Sequence, residues 1–186
     1  MRGCEISGPF SPFPSRKPLL YNIQALQSSD ILGFNLNREV VRVVLRSIRD
    51  KPGVAGELCS AFAEKGIEIL GISYDTSTKG RGDIGFAVLK SQKELAGDVC
   101  EEELAGAACD FYSIHDDVAM LVFSINPSSR VSKVISEIFD LFAQCGVNID
   151  MISYAKGVLS IMVKVYRLDD ALEAFRDMGL VPEIGV

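Results

Sequence analysis

VAGELCSAFAEKGIEILGISY, residues 54–74, returns later in the chain as VISEIFDLFAQCGVNIDMISY, residues 134–154. Each copy has apolar residues at helical spacing, a glycine where that pattern stops, and a β-rich segment that ends in Ile-Ser-Tyr. A sequence that repeats at this scale indicates two units built on the same supersecondary pattern. The repeat therefore predicts two small units in one chain.

The elements around each copy follow the same order. A strand that begins at Val40 precedes the first helix, and a hairpin, a weaker helix from Ser91 and a strand ending at His115 follow it. The second unit repeats this order from a strand at Val118 to a last helix near Asp169. The order βαββαβ is ferredoxin-like, so we predict an α+β fold of two ferredoxin-like units in tandem, with their sheets side by side.

The predicted boundaries follow from composition and from the repeat. Prolines and serines at the N-terminus are typical of an extended arm, and short apolar runs after it are typical of a strand-like lead-in. We predict an arm over residues 1–19, a lead-in over 20–39, a first unit over 40–116 and a second unit over 117–186. Either residues 31–36 or residues 180–186 can complete the second sheet, and the sequence does not choose between them.

Composition excludes several classes of function. The 186 residues carry a formal net charge of −6, which disfavours nucleic acid and anionic membranes as partners. No apolar run is long enough to span a bilayer, and five scattered cysteines with one histidine provide neither a disulfide framework nor a zinc ligand set. No nucleophile–base set or phosphate loop is recognisable. We therefore expect a cytoplasmic protein that is not an enzyme and needs no cofactor.

The segment Asp50-Lys51-Pro52-Gly53 opens the first helix. Asp50 is predicted to be its N-cap, and capping alone would account for Asp50 without a ligand. Gly53 lacks a Cβ atom, so a ligand can approach the backbone closely there. The positive end of a helix dipole at that point favours a carboxylate.

Three stretches carry a resemblance to a known family. ILGFNLNREVVRVVLRSIRDKPGVAGELCSAFAEKGIEI, residues 31–69, is similar to a segment with the order R-x-x-L, D-x-P-G-V-A, helix, G-I-x-I, and GDIGFAV, residues 82–88, is similar to the strand after it. GVNIDMIS, residues 146–153, is very close to a second motif, G-I-N-I-[ED]-M-I-S. These are motifs of the tandem ACT regulatory region of aspartate kinases, which the chain resembles over residues 31–179. No segment resembles the kinase catalytic part.

The resemblance implies binding of a small amino acid, of the lysine, threonine or methionine class, at a junction between ACT units. It also implies a homodimer and a partner enzyme of aspartate-family biosynthesis. In the first unit the implied ligand-binding residues are Asp50, Gly53, Val54 and Ala55, opposed by backbone groups of Ile67 and Ile69. In the second unit they are Asn148, Ile149 and Asp150, whose carboxylate would hold the ligand's ammonium group.

The chain departs from the family pattern at two matched places. Leu70 replaces the acidic residue that Asp150 keeps, and Ser132 and Lys133 replace Pro52 and Gly53. One unit thus keeps the glycine loop and the other keeps the acid. This favours a composite site that uses both units. The alternative is an assembly module that has kept the ACT fold and lost the ligand.

Overall fold

A computed structural model describes residues 26–77, 80–105 and 109–185, without the side chains of residues 76–77 and 104–105. The predicted arm over residues 1–19 lies outside the described residues. The strands are β1 (Ile31–Asn37), β2 (Val40–Arg49), β3 (Ile69–Ser77), β4 (Arg81–Leu89), β5 (Phe111–His115), β6 (Val118–Ile125), β7 (Ile149–Ala155), β8 (Val158–Lys164) and β9 (Glu183–Ile184). The α-helices are α1 (Val54–Glu64), α2 (Lys93–Ala105), α3 (Val131–Cys145) and α4 (Leu168–Asp177). Short 3-10 helices lie at Ser28–Asp30 and Lys90–Gln92.

Glycines define one end of each of the two repeated helices. α3 ends at Gly146, which is left-handed at φ 69° and whose N–H donates to the carbonyl oxygen of Ala143. α1 begins after Gly53, which is also left-handed at φ 97°. The prediction that Asp50 is the N-cap of α1 is wrong, because the Pro52-Gly53 turn moves the helix start to Val54.

The first unit is a four-stranded antiparallel sheet in the order β3-β4-β2-β5. With the helix between β2 and β3 and the helix between β4 and β5, this is the ferredoxin-like arrangement. One face of the sheet packs on α1 and α2, with Phe62 against Phe86 at 4.6 Å between ring centroids. The predicted α+β, ferredoxin-like fold is confirmed for this unit.

The second unit has the same order, β7-β8-β6, but its fourth place is filled from outside the unit. β1 pairs antiparallel with β6, and β9 pairs parallel with the outer side of β1. Both candidate segments therefore belong to the second sheet. Phe34 anchors β1 in this sheet. It is 4% exposed, and its ring centroid lies 4.4 Å from that of Phe123, on which it stacks, and 5.2 Å from that of Phe175.

The two sheets are hydrogen-bonded separately and face each other through side chains on the faces that the helices leave free. They are therefore stacked, and do not lie side by side as the sequence predicted. We call this contact the intersheet cluster. Its buried residues come from both units: Val40, Ala87, Val118, Met120, Met151 and Met162. Within the part of the chain that the structure describes, no helix is both long and apolar enough to cross a bilayer.

Candidate functional site

The start of α1 forms an open corner in the first unit. Gly53 is exposed, and among the described residues a Cβ atom built on it would have only a carboxylate oxygen of Glu57 within 4 Å, at 3.9 Å. The N–H of Val54 donates to the carbonyl oxygen of Lys51 at 3.3 Å. The next N–H groups, of Ala55 and Gly56, lie in the first turn, where a helix provides no acceptor. The corner thus offers backbone donors, the positive end of a helix dipole and space beside them.

Tyr74 closes one side of this corner. Its hydroxyl donates to a carboxylate oxygen of Asp50 at 2.7 Å, and that hydrogen bond is the main cause that raises the pKa of Tyr74. Tyr74 pairs across the sheet with Ile84, whose side chain lies in the helix-side core, so Tyr74 is on the same face as α1. The candidate residues named from the sequence do not include Tyr74. The signal that could have found it was its recurrence as Tyr154 at the end of the repeat.

Ile67 and Ile69 do not oppose Gly53. Ile67 is buried in the turn after α1, and its N–H donates to the carbonyl oxygen of Phe62 at 3.0 Å. Ile69 opens β3 and packs on the core of the first unit. An 11-residue helix is about 16 Å long, so these two residues lie at the far end of α1 from Gly53. The structure brings Asp50, Gly53 and Tyr74 together instead.

The second-unit residues form a separate group at the start of β7. Asp150 is an extra residue at a β-bulge, is 18% exposed at its side chain, and lies 3.6 Å from the ammonium nitrogen of Lys164. The carbonyl oxygen of Asn148 accepts from the N–H of Lys164 at 3.3 Å, and Ile149 packs on the core. Among described residues, no hydrogen bond or ion pair joins this group to the corner at Gly53.

The helix-start corner of the second unit is closed on its loop side, although Arg130, Ser132 and Lys133 stay exposed beside it and line an open hollow. The loop between β6 and α3 is covered by the short helix Ser28–Asp30: the side-chain amide of Asn126 donates to the carbonyl oxygen of Ser29 at 3.0 Å. The hydroxyl of Ser129 donates to a carboxylate oxygen of Asp30 at 2.6 Å. That bond is the main cause that holds the pKa of Asp30 below its usual value. The loop that matches the open corner is therefore occupied by the protein itself.

The structure gives a physical reason for the change to Leu70. Leu70 packs on the intersheet cluster, where a carboxylate would be costly. The neighbouring Gly71 makes room for the second unit, since a Cβ atom there would lie 3.0 Å from the terminal methyl of Met151. The start of β3 thus serves the contact between units.

The described residues form neither a metal site nor an activated cysteine nucleophile. No group of three or more His, Cys, Asp or Glu side chains within them could hold a metal ion. Burial raises the pKa of the Cys100 thiol to about 12, so it is not an activated nucleophile. What the geometry offers is a set of backbone donors at an open helix start.

Comparison with known proteins extends this result. No protein-family model matches the chain. Aspartokinase of Helicobacter pylori is 25% identical over 143 residues, which is 76% of this chain and 35% of that enzyme. The chain thus spans about a third of the length of this curated relative.

Two solved structures have a similar fold. The regulatory subunit of aspartate kinase from Thermus thermophilus, in its ligand-free form, superposes with a TM-score of 0.72 at 24% identity, covering 80% of this chain and 98% of that one. Aspartokinase III of E. coli, in complex with lysine and aspartate, gives a TM-score of 0.60 at 16% identity, covering 80% of this chain and 33% of that one.

The fold is that of a tandem ACT-domain protein. More particularly, the chain resembles the regulatory region of aspartate kinases, in agreement with the motifs of its sequence.

Proposed function

We propose that this protein is a non-catalytic regulatory protein that binds a small amino acid and controls an enzyme of aspartate-family amino-acid biosynthesis. The likeness to regulatory subunits of aspartate kinase supports the regulatory role. The single observation that supports ligand binding is the open corner at Gly53, where a left-handed glycine, free backbone donors and Asp50 lie together. The effector class is that of lysine, threonine or methionine, and lysine is one of the two amino acids in the complex of one neighbour.

Each end of an amino acid has a counterpart in this arrangement. The carboxylate suits the N–H groups of Ala55 and Gly56 at the helix start. The ammonium group needs a carboxylate, and Asp50 has one oxygen that does not accept from Tyr74. Asp150 is the second candidate carboxylate, and its partial burial would strengthen such a pair.

A composite site that uses both Gly53 and Asp150 requires two copies of the chain. Tyr74, beside Gly53, is on the helix side of the first sheet, whereas Met151, beside Asp150, contacts the opposite side at Gly71. A homodimer is supported by the edge strands β3 and β7. Each exposes a matched apolar pair, Ile72 with Tyr74 and Ile152 with Tyr154, at 44% to 51% exposure.

A thermal-shift screen of the twenty amino acids, followed by calorimetric titration, tests the proposal. An amino acid at about 100 times its Kd should add about 2.7 kcal/mol, or roughly 5–10 °C in Tm for a chain of this size. Ala55→Trp fills the corner without backbone strain and should abolish binding. Lys133→Trp places the same side chain at the helix start of the second unit, where Lys133 matches Gly53, and should not.

Asp150→Ala decides whether the site is composite. Loss of the same ligand in Ala55→Trp and in Asp150→Ala supports a shared site. Loss of ligand binding in Ala55→Trp but not in Asp150→Ala supports a site made by the first unit only.

The second candidate function is an assembly module without a ligand. Leu70 in the intersheet cluster, Lys164 beside Asp150 and the closed second corner all favour it, because each removes a place for an amino acid. The absence of any shift with the twenty amino acids, together with a dimer in solution, would support this candidate and reject the sensor.

A further inference from the structure

The chain crosses between the two units twice, and both crossings are two residues long. Residues 38–39 join β1 of the second sheet to β2 of the first, and residues 116–117 join β5 to β6. The crossings run side by side, because Arg42 pairs with His115 on one side of them and Asn37 pairs with Met120 on the other. Two short antiparallel connections that lie side by side can act as a pivot between the units, and they prevent the units from separating.

Charged pairs hold the second crossing to both units. Asp116 accepts from Lys93 of α2, in the first unit, at 2.8 Å. Asp117 accepts from Lys164 of β8, in the second unit, at 2.7 Å. Each of these hydrogen bonds is the main cause that lowers the pKa of its aspartate. The crossing is therefore fastened at both ends by pairs that water can reach, which are individually weak.

The contact beside the crossings is rich in methionine. Met120, Met151 and Met162 all lie in the intersheet cluster, and the two helix–sheet cores contain no buried methionine among their described residues. Methionine has three rotatable bonds and fills irregular space, so a surface made of it can repack at low cost. The leucine, isoleucine and phenylalanine of the helix–sheet cores specify one arrangement more strictly.

We infer that the junction between the units is a hinge. The units rotate about residues 38–39 and 116–117 while the methionines of the intersheet cluster repack, and Lys164 sets the resting angle. Lys164 has this role because its ammonium group lies between Asp117 on the crossing, at 2.7 Å, and Asp150 on β7, at 3.6 Å. If Asp150 holds an amino acid, a point that rests on the proposed function, the ligand's ammonium group competes with Lys164 and loosens the hinge.

Oxidation by dilute hydrogen peroxide, followed residue by residue with mass spectrometry, tests the hinge without any ligand. In the wild-type protein we expect initial oxidation of Met120 and Met151 to be faster than global unfolding permits, because hinge rotation exposes them. Lys164→Gln should raise both rates about two- to fivefold, the range for loss of partly exposed ion pairs. Met178, which packs on the core of the second unit away from the junction, should keep its rate.

Lys133→Gln is the matched control, since Lys133 pairs with Glu137 within α3 and not at the junction. It should leave the oxidation rates of Met120, Met151, Met162 and Met178 unchanged. Protection of Met120, Met151 and Met162 that equals protection against global unfolding would overturn the hinge. Fast oxidation that Lys164→Gln does not alter would overturn the role of Lys164. These results hold whether or not any amino acid binds, so the proposed function can fail separately in the thermal-shift screen.

Discussion

The same helix-start corner is open in the first unit and closed in the second. At Gly53 the first unit presents an exposed, left-handed turn, and at Asn126 and Ser129 the second unit is covered by Ser28–Asp30. The matched tyrosines differ in the same way. Tyr74 donates to Asp50 in the open corner, whereas the hydroxyl of Tyr154 accepts from the N–H of Gly157. Two near copies of one sequence thus present different surfaces.

The fourth strand of each sheet explains the difference. β1 has 7 residues and begins opposite Ile125, so the residues before it reach the loop after β6. β5 has 5 residues and begins opposite Arg46, so it stops short of the loop after β2. The strand that the second unit takes from the N-terminal side therefore closes one corner, and the shorter strand of the first unit leaves the other open.

The largest expected effect comes from breaking the strand that the second unit takes from outside. Phe34→Ala should cost about 3–5 kcal/mol, because Phe34 is buried against Phe123 and Phe175. Urea unfolding measures the loss. Amide hydrogen exchange should become faster mainly in β6 and in the loop that follows β6.

The matched position in the first unit is on β5. Ile114 is only partly buried against its core, so Ile114→Ala should cost clearly less and leave amide exchange in β6 unchanged. An equal cost for the two variants would contradict a special dependence of the second unit on β1.

A smaller effect is expected at the open corner. Gly53→Ala should cost about 1–2 kcal/mol, because a side chain at φ 97° is strained even where space is free. Gly56 lies in the first turn of α1, and no described atom outside the helix backbone is within 4 Å of its Cβ position. Gly56→Ala should therefore stabilise the protein by about 0.5–1 kcal/mol. Thermal unfolding of both variants checks the pair, and a shift of the same sign for both would contradict the geometry of the corner.

Local patterns predicted much of the fold, and long-range pairing did not follow from them. The end of α3 at Gly146 and the start of β6 at Val118 agree with the sequence, because an apolar helical stripe that ends in glycine and an apolar strand at the matched place of the repeat are strong signals. The place of β1 was left open, since alternation defines a strand and not its neighbour.

The candidate site shows the same limit. Gly53 was found because its position before a helix start is readable in the sequence. Tyr74 was not, since its contact with Asp50 depends on how β3 lies against the loop. Asp50 was assigned both to capping and to the implied ligand-binding residues. Local preference suggests the capping role, and the Pro52-Gly53 turn prevents it.

Asp30 gives a way to open the closed corner. Asp30→Asn should cost about 1 kcal/mol at neutral pH, because it weakens the bonds from Ser129 and from the N–H of Gln27. The pKa of Asp30 is lower in the folded protein than its ordinary value of 3.8. Its stabilisation is therefore complete above the unfolded pKa and is lost as pH falls through the folded pKa.

Urea unfolding at neutral and at acidic pH should show the difference between wild type and Asp30→Asn shrinking on acidification. Asp169→Asn is the control, since Asp169 pairs with Arg38 outside this loop. A difference that does not change with pH would mean that the carboxylate of Asp30 does not hold the corner closed.

The smallest expected effect is a change in the pKa of one tyrosine at the open corner. The hydrogen bond to Asp50 raises the pKa of Tyr74, so Asp50→Asn should move the ionisation of one tyrosine down towards its ordinary value. Because the folded pKa is raised, the stabilisation that this bond provides is present at neutral pH and is lost as pH rises through the folded pKa. Ultraviolet difference titration of wild type against the variant isolates this tyrosine from the others.

Tyr112 makes the titration specific. Burial and a hydrogen bond with Glu101 raise its pKa, so Glu101→Gln should lower the pKa of Tyr112 and leave that of Tyr74 alone. If Asp50→Asn changes no tyrosine, Asp50 is not held by Tyr74 in solution, and the open corner lacks a fixed carboxylate. An amino acid would then have to find its counter-charge at Asp150 of a second copy, which makes the effect of Asp150→Ala on binding the deciding measurement.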